Sequence, residues 1–321
     1  DFLGKRKIAY VISGLLIVAS IASITIKGLN KGVDFVGGRT FQVRFEQPVV
    51  APEVAKDLVT TFGSAEAKVF GNNNQLKITT KYKVDEESAI VDEEVNVKLY
   101  ESLKKYLPST LTYKDFVVTS DTKTVGIMQS SKVSGTISKD ITKNSIWAVV
   151  ISLLVVFLYL MISFRKWQFG LGAVAAVAHD VIIVLGIFSF FYNVLPFNME
   201  IDQAFIAAIL TVIGYSLNDT VIVFDRVREY LNYNSTKDFD GLTNKALNTT
   251  LSRTINTSAT TLVVLIAIFM FGGETIRGFV FAILVGILVG TYSSLFVATP
   301  IMRDSMSEKE KLRMAEFKKE D

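Results

Sequence analysis

Six apolar runs, each near the length needed to cross a bilayer, constrain this chain more than any other feature. Five of them, residues 8–26, 145–164, 168–192, 204–224 and 276–299, carry no more than two charged or histidine residues each. A sixth, 254–273, is weaker at its start. A membrane-spanning helix needs about 20 predominantly apolar residues, so the chain reads as an α-helical polytopic membrane protein with six transmembrane helices. The composition agrees: 50% of the 321 residues are hydrophobic and 20% are charged, against about 25% charged in an ordinary soluble domain. Mean hydropathy is +0.39. Disorder, which needs low hydrophobicity and high net charge, is excluded. The first run follows Lys5-Arg6-Lys7, as in a signal peptide. Its apolar stretch is too long for a signal-peptide core, so a retained helix is expected.

Basic residues set the orientation, because cytoplasmic loops are enriched in Lys and Arg. An N-terminus inside makes one set of segments cytoplasmic. That set holds Lys5, Arg6, Lys7, Arg165, Lys166, Arg226, Arg228, Lys237, Lys245, Arg253, Arg303, Lys309, Lys311, Arg313, Lys318 and Lys319, which is 16 basic residues. The short opposite loops, 193–203 and 274–277, hold only Arg277. Both termini are therefore expected inside, and the long segment after the first span outside. The implied division is 1–30 for the N-terminal segment and first span, 31–140 for an outer domain, 141–303 for spans two to six, and 304–321 for a cytoplasmic tail.

Residues 31–139 hold 29 of the 65 charged residues, the density of a soluble domain. Phe41, Val43 and Phe45 alternate with polar residues, which is a strand pattern. Val54, Leu58 and Phe62 recur every four residues, as on a short helix. Residues 68–70 and 76–80 read as strands joined by Gly71-Asn72-Asn73-Asn74, a turn composition. Val91, Val95, Leu99, Leu103 and Leu107 predict a helix over 85–107, acidic early and basic late, as the helix dipole favours. Residues 116–119 and 124–128 read as strands. The order β-α-β-β-α-β predicts a ferredoxin-like α+β domain between the first and second spans.

Polar residues inside the spans are the candidate functional groups. Asp180 and Asp219 are the only carboxylates within the apolar runs, and His179 is the only histidine of the chain. A carboxylate at the centre of a membrane helix costs at least about 2.5 kcal/mol, so such residues mark ion paths by default. The other reading of Asp219 is a packing link, hydrogen-bonded to Asn218, Tyr215 or a neighbouring helix. For His179-Asp180 the structural pair is favoured over transport. Asp219 lies in Gly214-Tyr215-Ser216-Leu217-Asn218-Asp219-Thr220 on the fourth span. Arg253, Thr257, Thr260 and Thr261 share one face of the fifth at similar depth. Arg253 is either a partner setting the properties of Asp219 or a flanking charge that snorkels to the interface. Gly278, Ala282, Gly286, Gly290 and Ser294 on the sixth span allow close helix approach, as do Gly172 and Ala176, one face with Asp180, on the third. Several chemistries are excluded. No cysteine is present, so disulfides and thiolate metal sites are ruled out. One histidine argues against zinc. No phosphate-binding Gly-rich loop and no His-Glu-x-x-His motif occurs, so no catalytic residue, cofactor or metal is expected. A net charge of +3 does not imply nucleic acid as a partner.

Four segments resemble the SecF family of bacterial protein-export membrane subunits, members of the RND-type transporter superfamily. They are residues 28–38, ending in Gly37-Gly38; Ala178-His179-Asp180-Val181; residues 214–229; and Leu251-Ser252-Arg253-Thr254 with Thr257-Ser258 and Thr260-Thr261. Arg39 stands where the family commonly has Thr or Ser, and the acidic run 85–94 is longer than the family norm. The resemblance implies an RND-type bundle in the bacterial inner membrane, partnered by SecD and the SecYEG translocon. It also implies use of the proton motive force to promote export of unfolded polypeptide across the lipid bilayer. It extends equally to the SecF half of a fused SecDF chain, because position 1 is not Met. By motif position, Asp219 and Arg253 match the family's proton-pathway residues, with Asn218, Asp180 and His179 in support. The alternatives are half of an RND-type small-molecule or lipid exporter, or a structural subunit without ion transport.

Overall fold

The computed structural model describes residues 1–86, 88–233 and 238–316. Lys237, Lys318 and Lys319, counted above for orientation, lie outside the described residues. So do Glu87 of the acidic run and the end of the expected tail.

Six helices are long and apolar enough to span a membrane. They are α1 (Arg6–Lys27), α6 (Gly135–Phe164), α7 (Trp167–Phe191), α8 (Gln203–Tyr233), α9 (Phe239–Phe271) and α10 (Glu274–Ser293), which runs on through a π-helical turn, Ser294–Ala298, into α11 (Thr299–Asp304). A short helix α12 (Glu308–Glu316) follows. The bundle inverts the soluble pattern. On α1 the buried residues are Ala9, Ser13, Ser20 and Ser23, while Ile8, Val11, Leu15 and Val18 face outward. Lipid is as apolar as Leu, so large side chains gain nothing by turning inward, and small residues let backbones approach. A Cβ on Gly172 of α7 would lie 2.5 Å from the Ala298 carbonyl oxygen. One on Gly286 of α10 would overlap Val212 of α8. The small-residue faces read from the sequence thus point into the bundle, and α7, α8 and α10 form its centre.

The π turn has a local cause. Pro300 has no N–H and cannot complete the preceding α-helical ladder. Two hydroxyls take up part of the disturbed backbone: Thr299 donates to the Ser294 carbonyl at 3.2 Å and Ser294 to that of Gly290 at 2.9 Å.

Between α1 and α6 lies the α+β domain. It comprises α2 (Val33–Val36), β1 (Gly38–Arg44), α3 (Ala51–Phe62), β2 (Ala65–Phe70), β3 (Asn72–Thr80), α4 (Ala89–Leu103), α5 (Tyr113–Val117) and β4 (Gly126–Val133). The sheet is antiparallel in the order β2-β3-β1-β4, the split β-α-β arrangement of a ferredoxin-like fold. Its core is Phe41, Val43, Phe45, Val54, Leu58, Phe62, Leu76, Ile78, Val91, Val95, Leu99, Leu103, Phe116 and Ile127.

Two local expectations are corrected. Residues 116–119 are not a strand: Phe116 lies in α5. Thr112 caps that helix by accepting from Asp115 N–H at 3.2 Å, and its hydroxyl donates to the Asp115 carboxylate at 2.6 Å. This reciprocal cap starts a helix that buries Phe116 as well as a strand would. The second long helix starts at Ala89, where Ser88 caps it, and ends at Leu103 with a 3-10 turn over Lys104–Tyr106. Arg39 sits inside β1, buried, with its guanidinium 2.5 Å from Asp92 of α4. Part of the acidic run thereby gains a structural partner.

The domain is fastened to the bundle at the loop leading into α8. Ile201 N–H donates to Asn30 C=O at 2.8 Å, and Gly32 N–H donates to Ile201 C=O at 2.9 Å. Lys77 of β3 pairs with Glu200 at 2.5 Å, both largely buried. Asp34 accepts from Gln203 N–H at 3.0 Å, and Asp202 caps α8 through Phe205 N–H at 2.8 Å. Gly37, at φ +72°, makes the turn between α2 and β1, and a Cβ there would lie 3.3 Å from Gly135 Cα at the start of α6.

Two outcomes are expected. Gly172→Ala forces a methyl against a backbone carbonyl and lowers stability by about 1–3 kcal/mol. Gly214→Ala, at an exposed helical position with open space around it, leaves stability unchanged or slightly raised. Thermal unfolding of both variants in detergent checks the pair. In the outer domain, hydrogen bonds from Lys83, Tyr82 and Lys98 hold Glu94 down at a pKa of about 2, from an ordinary 4.5. That contribution is complete above about pH 4.5 and is lost as pH falls toward 2. The unfolding temperature of Glu94→Gln therefore falls less steeply over this range than that of the unaltered chain.

Candidate functional site

The polar groups inside the bundle form two clusters with opposite character. The first centres on Asp180 of α7, which is fully buried. Its Oδ1 lies 2.9 Å from His179 Nδ1. Its Oδ2 accepts from Ser216 of α8 at 2.7 Å and from Ser293 of α10 at 2.8 Å. Thr220 of α8 and Ser294 of the π turn share a hydrogen bond at 2.9 Å, and Ser294 reaches the Ser216 carbonyl at 3.2 Å. The His179 ring stacks on Tyr292, whose hydroxyl lies 3.2 Å from Ser13 of α1. Four spans thus meet around one carboxylate. Hydrogen bonds to a charged group contribute about 1.5–3 kcal/mol each, enough to offset the burial of Asp180. This arrangement is the satisfied structural pair that the sequence favoured.

The second cluster centres on Asp219, one turn further along α8 from Ser216. Helical spacing turns Ser216, Asp219 and Thr220 inward and leaves Gly214 and Asn218 exposed. Asp219 is 1% exposed, yet its Oδ2 has no hydrogen-bond partner. Arg253 of α9 acts on it through space, and Ser258 is the one side chain that approaches it as a hydrogen-bonding group. No ion pair within 4 Å joins Asp219 to Arg253 among the described residues. The inward face of α9 is Thr243, Ala246, Leu247, Thr250, Thr254 and Ser258, whereas Arg253, Thr257 and Thr260 are exposed. The expected Arg253 face therefore exists, but it looks outward from this chain. Asn218 makes no hydrogen bond to Asp219, and Tyr215 donates instead to Thr261 at 3.2 Å.

Sequence reasoning named Asp180, His179 and Asp219 but passed over their partners Ser293, Tyr292, Ser258 and Thr291. Ser258 was read only as part of a motif and Ser294 only as a small residue. The available signal was Tyr292-Ser293-Ser294, a polar triplet in an apolar run at the depth of the third-span carboxylate. Among the described residues, no group of three or more His, Cys, Asp or Glu side chains is placed to hold a metal ion.

Known proteins share this architecture. The profile described as "Protein export membrane protein SecD/SecF, C-terminal" matches residues 113–308, and the "SecD/SecF GG Motif" profile matches residues 22–49. The protein translocase subunit SecF of Rhodothermus marinus is 43% identical over 302 residues, covering 94% of this chain and 91% of the relative. That of Thermodesulfovibrio yellowstonii is 38% identical over 307 residues, covering 94% and 93%. The crystal structure of SecDF, a translocon-associated membrane protein from Thermus thermophilus, superposes with a TM-score of 0.76 at 30% identity over 95% of this chain. A super-membrane-facing form of SecDF gives 0.61. This chain spans 38% of the length of that SecDF chain. Similarity at this level, running without interruption through the outer domain and all six spans, settles the relationship: the chain belongs to the SecD/SecF protein-export family, on its SecF side.

Proposed function

We propose that this chain, assembled with SecD beside the SecYEG channel, uses the proton motive force to draw emerging polypeptide outward. In this reading both termini lie in the cytoplasm of a bacterial inner-membrane protein and the ferredoxin-like domain faces outward. The observation that carries it is Asp219, a carboxylate buried between spans with one oxygen unpartnered. An unpaired buried charge is costly, and a proton removes the charge without removing the side chain. Asp219 would therefore alternate between two states in which α8, α9 and α10 pack differently. Arg253 and Asn218 would complete the pathway from the exposed face of the bundle, which SecD would cover. His179 and Asp180, already saturated with partners, would hold α7, α8 and α10 together while the second cluster changes.

The magnitudes are adequate. One elementary charge crossing 100 mV releases about 2.3 kcal/mol, which shifts a two-state equilibrium about fifty-fold. One or a few protons per cycle suffice.

The test follows outward movement of a translocating precursor after ATP-driven insertion has ended, with and without an uncoupler. The unaltered chain loses the late, gradient-dependent movement when the uncoupler is added. Asp219→Asn, at equal protein level, lacks that movement from the start. Equal responses of the two proteins to the uncoupler would place the ion path in the partner and leave this chain a structural subunit. Asp180→Leu strands the hydroxyls of Ser216 and Ser293. It is expected to lower stability by about 3 kcal/mol, a loss that Asp219→Asn does not share in thermal unfolding.

A further inference from the structure

A row of four oxygens connects Asp219 to the backbone of α10. Ser258 of α9, 4% exposed, approaches the Asp219 carboxyl. Its Oγ lies 2.7 Å from Thr291 Oγ1, and Thr291 Oγ1 lies 2.8 Å from the Ile287 carbonyl oxygen. The row thus runs Asp219, Ser258, Thr291, Ile287 C=O, with three gaps between its members.

Hydrogens decide what such a row can do. A serine or threonine hydroxyl donates one hydrogen, and a carbonyl donates none. The row has two hydroxyl hydrogens for three gaps. The Ile287 carbonyl only accepts, so Thr291 spends its hydrogen there. The short Ser258–Thr291 contact then needs the hydrogen of Ser258. Nothing is left for the gap at Asp219, and that gap is the one not closed by a hydrogen bond: Asp219 Oδ2 is unpartnered. A protonated Asp219 supplies the missing third hydrogen and completes the row. An ionised Asp219 completes it only by taking the hydrogen of Ser258, which leaves two oxygens in contact elsewhere without a hydrogen between them.

We infer that Ser258 is a positioning residue for proton exchange at Asp219: pinned as a donor by Thr291, it offers the carboxyl only lone pairs and accepts a hydrogen bond from the protonated form. The inference rests on the reading of Asp219 as a proton-exchanging group. It gives that reading a mechanical consequence, because the same row ends on the backbone of α10. Each change of protonation alters the demand on a hydrogen bond of that helix, one turn before the serines that hold Asp180. The other titratable and charged groups around Asp219 are Arg253 on α9 and His179 and Asp180 on α7. The packed part of α10 and the π turn bring Thr291, Ser293 and Ser294, with Tyr292 stacked on His179. On α12, Lys311 is occupied by Glu308.

The test is infrared difference spectroscopy of the protonated-carboxyl band against pH, on the full chain purified with SecD in lipid nanodiscs. The band belonging to Asp219 is the one missing in Asp219→Asn. Ser258→Ala removes the acceptor and moves the midpoint of this band to lower pH by about one unit; Ser258→Thr keeps a hydroxyl and restores it. Thr291→Val frees the hydrogen of Ser258, so in that background Ser258→Ala moves the midpoint the opposite way. An unchanged or raised midpoint in Ser258→Ala alone would overturn the role of Ser258 while leaving Asp219 as the exchanging group. If no band titrates that Asp219→Asn removes, the reading of Asp219 falls and the inference falls with it.

Discussion

Close approach of α7, α8 and α10 is the constraint on which the rest of this molecule depends. Without a hydrophobic force between helices in lipid, contact must come from backbone proximity and from polar groups that find partners only inside the bundle. Both devices meet at one depth here. Gly290 of α10 stands opposite Ser216 of α8 and near Asp180 Oδ2, so the spacing that brings the backbones together also brings the serines to the carboxylate. A larger residue at Gly290 would separate the helices and leave Asp180 without its donors. Packing and polar satisfaction are therefore a single requirement in this core.

The asymmetry of the two carboxylates follows from that geometry. Asp180 faces the seam where three helices converge and collects donors from each. Asp219 lies one turn along α8, where the neighbour is α9, whose inward groups are short hydroxyls. Of these, Thr254 and Thr243 have no hydrogen-bond partner of their own, and Ser258 is committed to Thr291. The helix that carries the only nearby cation turns that cation away from the bundle. A carboxylate in this position is enclosed but not saturated, and such a group can be answered by a proton or by a partner subunit. Saturation at one site and its lack at the other let the first serve as a fixed point for changes at the second.

Much of this was legible in the sequence, and the gaps have physical causes. Length and hydropathy located the six spans because the bilayer imposes one thickness on every helix. The βαββαβ order of the outer domain was readable because residues such as Val54, Leu58 and Phe62 keep a strict period. Phe116 was misread because an isolated aromatic has no period, and the Thr112–Asp115 cap decides its structure. Asp180 and Asp219 announced themselves by their cost in an apolar run. Their partners did not, because a serine within a membrane helix can return its hydrogen to its own backbone and needs no distant acceptor. Only three dimensions separate Ser293, which reaches Asp180, from Thr257, which donates to the Arg253 carbonyl. The outward aim of Arg253 was equally hidden, since depth along a helix says nothing about which neighbour its face meets.

The outer domain is coupled to this core through a short and stiff route. From Asp219 to Gln203, α8 provides about 24 Å of continuous helix. At its start Asp202 caps the helix, Gln203 binds Asp34, and Glu200 pairs with Lys77 in the central part of the sheet. Burial pushes the Asp202 carboxyl above its ordinary range, a sign that this joint is enclosed rather than solvated. A helix resists compression along its axis, so a shift of α8 near Asp219 arrives at the joint with little loss. The backbone bonds of Ile201 to Asn30 and Gly32 then hand it to the segment between α1 and β1. A loop fastened by one surface contact would dissipate such a displacement. A loop held by two backbone hydrogen bonds, a helix cap and a buried ion pair delivers it to the sheet, which gives the proposed proton exchange a physical path to the domain outside the membrane.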